Sequence, residues 1–535
     1  MKIFTSILFA FLLMLNTLIF AQRGTVVNAI PLDTISPTEI MQSLQLSLDA
    51  TNYALIDHFT YKNNSVVAVK IIYWTIDGHG NPTTASGVVF IPFVETETEV
   101  PVFSYLHGTL TRDIDAPSYL IGIQSIIGWI MAMDGYISIL PDYLGLGDGP
   151  GIHPFSHAET EASASIDFMI AATTLCASNP LIKAKPNGDL YLSGYSQGAH
   201  AALATQRELE KHPIPGLTLR KTVAGSGAYS LSYIQKKFLF DNPNYPNPSF
   251  LPYLLMGYQD VYGNLYSNLN QVFVPPYNST MPGYFNGLLT VEQIDSQLPA
   301  AWKDMFVPRY LWNIKYRYFH PVNIALRKND LINWKPKTDL HLYYCNCDEL
   351  VAKENSLLAY LSFLLRGSWN VTCLPLGNFN HNDCAPLVLL IGKIQFDCAS
   401  GINPCGLNLS SLLALKSTSE TDLSAFSNAL DLNATLDKDL IQSEEFTAYL
   451  NGEENLNDQM KVYPNPASDF VTIELNNGGL SDSRIAIYDM QGKLVMDKIF
   501  TDNTIELNVK PFKPGVYKVV VNGESTKTKS LAISR

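Results

Sequence analysis

The sequence predicts an α/β protein, a mostly parallel doubly wound sheet with an inserted cap, followed by a small C-terminal β-sandwich. Three observations predict it. Short apolar runs alternate with helical stretches across the first three quarters of the chain. A long segment dense in Tyr, Phe, Pro and Asn interrupts that alternation. The last 75 or so residues then revert to alternating strands with Gly- and Pro-based turns. A length of 535 residues leaves room for several domains, and 47% hydrophobic with 16% charged residues suits a globular chain with a large core.

Taken in order, residues 66–73 and 87–92 read as strands around the turn Gly78-His79-Gly80-Asn81-Pro82. Residues 102–106 and 137–140 are nearly continuous apolar runs, the pattern of strands buried on both faces. Helix at 162–177, strand at 190–192, helix at 199–212 and strand at 222–224 continue the β-then-α rhythm. Residues 232–336 break it. So long an irregular stretch inside a compact domain has a function or structure of its own, and it is read as a cap over the sheet. A strand at 340–344, a helix at 355–365 and a strand at 370–374 follow. Between residues 419 and 458 acids outnumber bases ten to one, which indicates a solvated linker. Strands at 470–475, 484–488 and 516–521 form the terminal sandwich.

The N-terminus carries Met1-Lys2, then an apolar stretch over residues 3–20, then Ala21-Gln22. A positive end, an apolar core and a small residue at the cleavage point make a secretory signal, cut after Ala21. The rival is a membrane anchor, since the stretch approaches the length of a bilayer span. The expected domains are therefore a signal peptide (1–21), a catalytic domain (22–405, cap 232–336), an acidic linker (406–459) and a C-terminal domain (460–535). No later stretch is long and apolar enough to span a bilayer. A net charge of −13 without a Lys/Arg-rich run argues against nucleic acid as a partner.

Export permits disulfides among the seven cysteines. Cys345, Cys347, Cys373 and Cys384 cluster, Cys398 and Cys405 could close a small loop, and Cys176 reads as a buried free thiol. The Cys345-x-Cys347 spacing does not suit a zinc knuckle, so no metal or organic cofactor is expected.

Gly194-Tyr195-Ser196-Gln197-Gly198 follows the apolar strand and opens a helix, the strand–turn–helix setting of a nucleophile elbow. Its glycines allow a tight turn that pushes the serine hydroxyl out, and the helix N-terminus adds positive potential where an oxyanion develops. A serine hydroxyl needs a base to take its proton. On this fold an acid and then a histidine follow the nucleophile in chain order. Asp348, just past a late strand, is the expected acid, with Glu349 as its rival. His381, in a polar loop after the next strand, is the expected base, ahead of the nine other histidines. Gln197, directly after the serine, is an expected oxyanion donor. Thr109 or Gly108, in the loop His107-Gly108-Thr109 after an earlier strand, should be the second, with His107 supporting the loop.

The elbow, the His107-Gly108-Thr109 loop, Pro141-Asp142-Tyr143-Leu144-Gly145-Leu146-Gly147, and Asp348 with His381 resemble the bacterial relatives of the secretory lipase family, which are capped α/β-hydrolases. That resemblance spans residues 55 to 397. It implies a secreted serine carboxylic ester hydrolase (esterase or lipase) acting on small-molecule or lipid esters through an acyl-enzyme. A serine peptidase or a sugar-directed acetyl or feruloyl esterase on the same fold is the alternative. A surface-binding protein on a degenerate scaffold is the non-enzymatic one. Asp142 and Asp148 would be structural. By its composition the aromatic cap would form an apolar acyl or aryl pocket; the alternative is that its aromatics make only the cap's own core. Separately, Tyr463-Pro464-Asn465-Pro466-Ala467, Asp489-Met490-Gln491-Gly492-Lys493 and Pro514-Gly515-Val516-Tyr517 resemble the type A sorting domain of the type IX secretion system of Bacteroidetes. That likeness implies export through periplasm and outer membrane by the type IX machinery, to a secreted or cell-surface location.

Overall fold

A computed structural model describes residues 23–47, 50–402 and, within 460–533, the strands and some of their turns. The expected signal peptide (1–21) and acidic linker (406–459) lie outside the described residues. By internal packing the chain falls into two units. The first runs to Val307 and resumes at Ala325, and the second combines Pro308–Ile324 with the C-terminal region.

The first unit is built on a nine-stranded sheet: β1 (Val26–Ile35), β2 (Val66–Ile76), β3 (Pro82–Pro92), β4 (Thr98–Leu106), β5 (Ile137–Pro141), β6 (Ala184–Tyr195), β7 (Thr218–Gly225), β8 (Asp339–Tyr344) and β9 (Val371–Pro375). Their spatial order is β1-β2-β3-β5-β4-β6-β7-β8-β9. Pairing is antiparallel from β1 to the β3–β5 junction and parallel from β5 to β9. The apolar runs are continuous because both sheet faces are covered. Along β3, Val88 and Phe90 face one core while Val89 and Ile91 face the other. The first core is covered by α1 (Ile126–Met133) and α5 (His381–Ser400), the second by α2 (Ala158–Ser178), with Leu209 of α3 (Gln197–Leu209). Helix α4 (Glu354–Leu365) lies between β8 and β9 in sequence. This is the expected α/β-hydrolase architecture.

Strand β1 was not expected from the sequence. It is an edge strand, mostly exposed, with Pro31 and Asp33 at a register shift. Pro is tolerated at an edge because no neighbour needs its N–H, and an exposed strand carries no apolar alternation to read.

Residues between β7 and β8 hold helices rather than irregular chain, among them Phe250–Tyr262, Tyr277–Tyr284 and Val291–Asp295. Many of their aromatics pack on one another or on the loops beneath. Phe240 meets Trp302 at 5.5 Å, Phe273 meets Phe306 at 4.9 Å, and Tyr253 stacks on Phe155 and Phe285. The rings are the core of the insertion itself.

In the second unit two antiparallel sheets, of three and four strands, share one core that includes Val471, Ile473, Ile487, Val519, Val521 and Leu531. The expected strands at 470–475, 484–488 and 516–521 are all present. Asp489 accepts the backbone N–H of Lys493 at 2.9 Å, and the Tyr517 hydroxyl donates to the Lys513 carbonyl at 2.7 Å. Among the described residues no helix is long and apolar enough to cross a membrane.

Candidate active site

Ser196 sits between the last residue of β6 and the first of α3 with φ 58° and ψ −122°. A non-glycine residue there costs on the order of 1–3 kcal/mol, so the surroundings must impose it. The two flanking glycines show how. A Cβ on Gly194 would lie 2.0 Å from the Gly198 carbonyl oxygen, and one on Gly198 would lie 1.9 Å from the Leu106 carbonyl oxygen. The second contact seats the elbow directly against the end of β4. The elbow thereby lies beside the His107-Gly108-Thr109 loop, with Gly198 against the His107 carbonyl and Gly108 near the Tyr195 carbonyl.

His381 is the first residue of α5, whose N-cap Asn380 accepts the Asp383 N–H. Its Nδ1 lies 2.9 and 2.8 Å from the two Asp348 oxygens, and both side chains are almost fully buried. Asp348 Oδ1 also accepts the backbone N–H groups of Leu350 (3.0 Å) and Val351 (2.8 Å), which fixes the carboxylate beyond β8. The exposed Glu349 accepts the backbone N–H of His381 at 3.1 Å. The two neighbouring acids thus divide the histidine: Asp348 meets the ring, Glu349 the main chain. The Tyr195 hydroxyl donates to the His381 carbonyl at 2.6 Å. A disulfide joins Cys345, just past β8, to Cys384 in the first turn of α5, so the loop bearing Asp348 and the helix bearing His381 are covalently tied. Cys398 is disulfide-bonded, whereas Cys176, Cys347 and Cys373 are free. Cys405 lies outside the described residues.

Ser196, His381, Gly108 and Thr109 all line one cavity of about 450 Å³. Its apolar wall is mainly aliphatic, from Ile126, Ile127 and Ile130 of α1 and Ala385, Leu389 and Leu390 of α5. The insertion contributes one ring, Phe250, beside Asn247, Val291 and Glu292. The aromatic cap pocket expected from composition is therefore corrected to an aliphatic channel beside the sheet. At the far end of α5's lining face, buried Lys393 lies 2.6 Å from Asp134 and 2.5 Å from Asp397. Burial alone would lower the Lys393 ammonium, and the two carboxylates outweigh it, holding it above its ordinary value.

His107 does not line the cavity. It is fully buried, within 2.7 Å of the Gly108 carbonyl and 3.2 Å of the Asp142 carbonyl, and burial pushes it down to about 4. It braces the loop, as expected. Asp142 accepts from the Ser86 hydroxyl (2.6 Å) and the Ser118 N–H (3.0 Å), and Asp148 pairs with Lys70 at 2.6 Å. Both hold loops together.

Beneath the elbow lies a buried polar cluster that sequence reasoning missed. Gln197 Nε2 donates to Glu161 Oε1 at 3.0 Å and lies 2.7 Å from His153 Nε2, and the other Glu161 oxygen lies 2.7 Å from His200 Nδ1. His200 Nε2 in turn lies 2.9 Å from the Asn329 carbonyl. The residue after Ser196 is thus anchored from below. Gln124, which accepts from the Tyr105 hydroxyl at 3.1 Å and lines the cavity, was missed as well. The contacts join separate segments of the chain, and no local pattern marks them.

Comparison with known proteins agrees with this architecture. Residues 461–534 match the family described as the secretion system C-terminal sorting domain. No curated protein sequence matches the chain. Among solved structures it is similar to the rice cell wall degrading esterase LipA from Xanthomonas oryzae, at 27% identity over 71% of this chain and 99% of that one, with a TM-score of 0.61. A ligand-bound form of the same esterase gives 28% identity, 69% and 95% coverage and a TM-score of 0.60. Candida antarctica lipase A is similar in fold, at 16% identity, 76% and 91% coverage and a TM-score of 0.54. The chain thus has an α/β-hydrolase fold and ends in a type IX sorting domain, which marks it for export to a secreted or cell-surface location.

Proposed function

We propose that this protein is a serine carboxylic ester hydrolase working through an acyl-enzyme on Ser196. The observation that carries the reading is that Ser196 and His381 open into one apolar cavity while His381 is bonded to the buried Asp348. His381, oriented by Asp348, takes the Ser196 proton as the hydroxyl attacks the ester carbonyl. The N–H of Gln197 and that of Thr109 or Gly108 hold the tetrahedral oxyanion. One such donor is worth about 3–4 kcal/mol of barrier where this has been measured. His381 returns the proton to the departing alcohol, then activates the water that releases the acid. An aliphatic cavity favours an ester with an apolar acyl group over a charged peptide, and the esterase LipA of Xanthomonas oryzae, similar over most of its length, supports the ester class.

Purified protein should hydrolyse nitrophenyl esters, and Ser196→Ala should lower kcat by roughly 10⁴-fold or more. Full activity in that variant, or cleavage of a peptide panel in preference to esters, would overturn the proposal. Feruloyl- and acetyl-sugar substrates on the same preparation decide the remaining alternative.

A further inference from the structure

Resting on the ester-hydrolase reading, we infer that the channel between α1 and α5 holds an unbranched acyl chain of about ten to twelve carbons, and that the Asp134–Lys393–Asp397 cluster stops it. Four features of the molecule converge on this.

The first is direction. His381, Asn382, Ala385, Pro386, Leu389, Leu390 and Lys393 follow one another along one face of α5, and all line the cavity that Ser196 opens into. Reaction centre and charged cluster therefore mark the two ends of a single helical face. The second is length. Lys393 lies about 18 Å along the axis from His381, at ~1.5 Å rise per residue. With C–C bonds of about 1.5 Å near the tetrahedral angle, an extended alkyl chain advances about 1.25 Å per carbon, so twelve carbons reach about 15 Å.

The third is volume. The 450 Å³ cavity has room for about fifteen groups the size of a water molecule, at ~30 Å³ each. A methylene is of that size, so twelve carbons leave some of the space for the alcohol side near Asn247 and Glu292. The fourth is chemistry. The opposing walls are aliphatic, with Ile126, Ile127 and Ile130 facing Leu389 and Leu390, while the inner end changes abruptly to a buried ion cluster. Lys393 is 2% exposed and each of its two carboxylates is at most 3% exposed at the side chain. An alkyl chain gains nothing from such charges and cannot displace one without leaving another unpaired. Asp134 also accepts the backbone N–H groups of Tyr61 (2.8 Å) and Lys62 (3.0 Å), and Asp397 accepts the Tyr136 hydroxyl at 3.1 Å. The stop thus ties together three segments of the fold, residues 61–62, 134–136 and 393–397.

The test is kcat/KM across nitrophenyl esters from two to eighteen carbons. The wild-type profile should rise at least ten-fold from four to ten carbons, peak near ten to twelve and fall steeply beyond fourteen. Ile130→Trp, which fills the channel midway, should lower the ratio of the twelve-carbon to the four-carbon rate by at least ten-fold. The triple change Lys393→Met, Asp134→Asn, Asp397→Asn removes the charges without leaving one unpaired, and should move the fall to longer chains. If that variant does not fold, the wild-type profile and Ile130→Trp still decide. A wild-type profile that peaks at two to four carbons, or an Ile130→Trp profile unchanged from wild type, overturns the acyl site while leaving ester hydrolysis standing. A folded triple variant with an unchanged limit overturns the stop. No turnover at any chain length overturns the ester reading and the acyl site together.

Discussion

Removing the Cys345–Cys384 disulfide should weaken the first unit and misalign His381 and Asp348. The bond closes a loop with a sequence separation of 39. In the chain-entropy account a loop of that size restricts the unfolded chain by about 4 kcal/mol. Both sulfurs belong to fully buried residues, so reductant alone will act slowly and the double change Cys345→Ala, Cys384→Ala is the cleaner perturbation. For a unit of roughly 380 residues, an unfolding entropy of about 2 cal/mol/K per residue converts 4 kcal/mol into a Tm drop of about 5 °C. The bond also ties the Asp348 loop to the first turn of α5, so the 2.8 Å contact between His381 and Asp348 should loosen. Substrate binding in the channel does not depend on that contact, so kcat should fall more than KM rises. Calorimetry and steady-state kinetics on one preparation read both effects. A double variant with unchanged Tm and unchanged kcat would refute the idea that this staple holds the site.

Four further outcomes follow from the geometry. Asp348→Asn keeps the shape but removes the carboxylate facing the His381 ring, and should cost about 10⁴-fold in kcat. Glu349→Gln still offers an oxygen to the His381 N–H and should cost less than ten-fold; the reverse order would exchange their roles. Gly198→Ala would place a Cβ 1.9 Å from the Leu106 carbonyl oxygen, so it should lose about 3 kcal/mol or more of stability and most activity, read by melting and ester turnover. Burial pushes His107 and His157 down to about 4 and His153 down to about 3. These groups stay neutral in the fold while the unfolded chain takes up protons below its ordinary value of about 6.5, so stability falls as pH falls through that window. Between pH 6.5 and 5 each contributes about 2 kcal/mol of loss. Asp330, pushed up to about 6 by burial, gains protons in the fold and gives part of that back, leaving a net loss of several kcal/mol. Melting from pH 7 to 5 should show the decline, and His153→Gln should reduce its slope by about one proton.

What the sequence made legible was what is contiguous. The elbow must place two glycines, a serine and a helix start within a few residues, because the turn cannot otherwise bring Gly198 against Leu106. The buried strands were legible because both faces need apolar side chains. Position after β8 and β9 singled out Asp348 and His381, whose side chains lie 2.8 Å apart in the fold. Contacts made only in three dimensions were not legible. The adjacent acids Asp348 and Glu349 look equivalent in sequence, and their separate duties depend on which atoms of His381 each meets. The aromatic richness of the insertion said that a core existed without saying whose. Its rings pair mostly among themselves, and the cavity wall comes from α1 and α5. The cluster of Glu161, Gln197, His153 and His200 joins residues from three separate segments, and edge strand β1 has no buried face to leave a pattern.

Attack by the Ser196 hydroxyl is the step on which the proposed mechanism turns. It is tested most directly by treating the protein with an alkyl fluorophosphonate, which phosphonylates an activated serine, and locating the adduct by peptide mass spectrometry. One adduct should form, on Ser196, in step with loss of esterase activity, and should be absent from Ser196→Ala and from His381→Ala. Inactivation with the adduct on another residue, or esterase activity that survives full modification of Ser196, would contradict it.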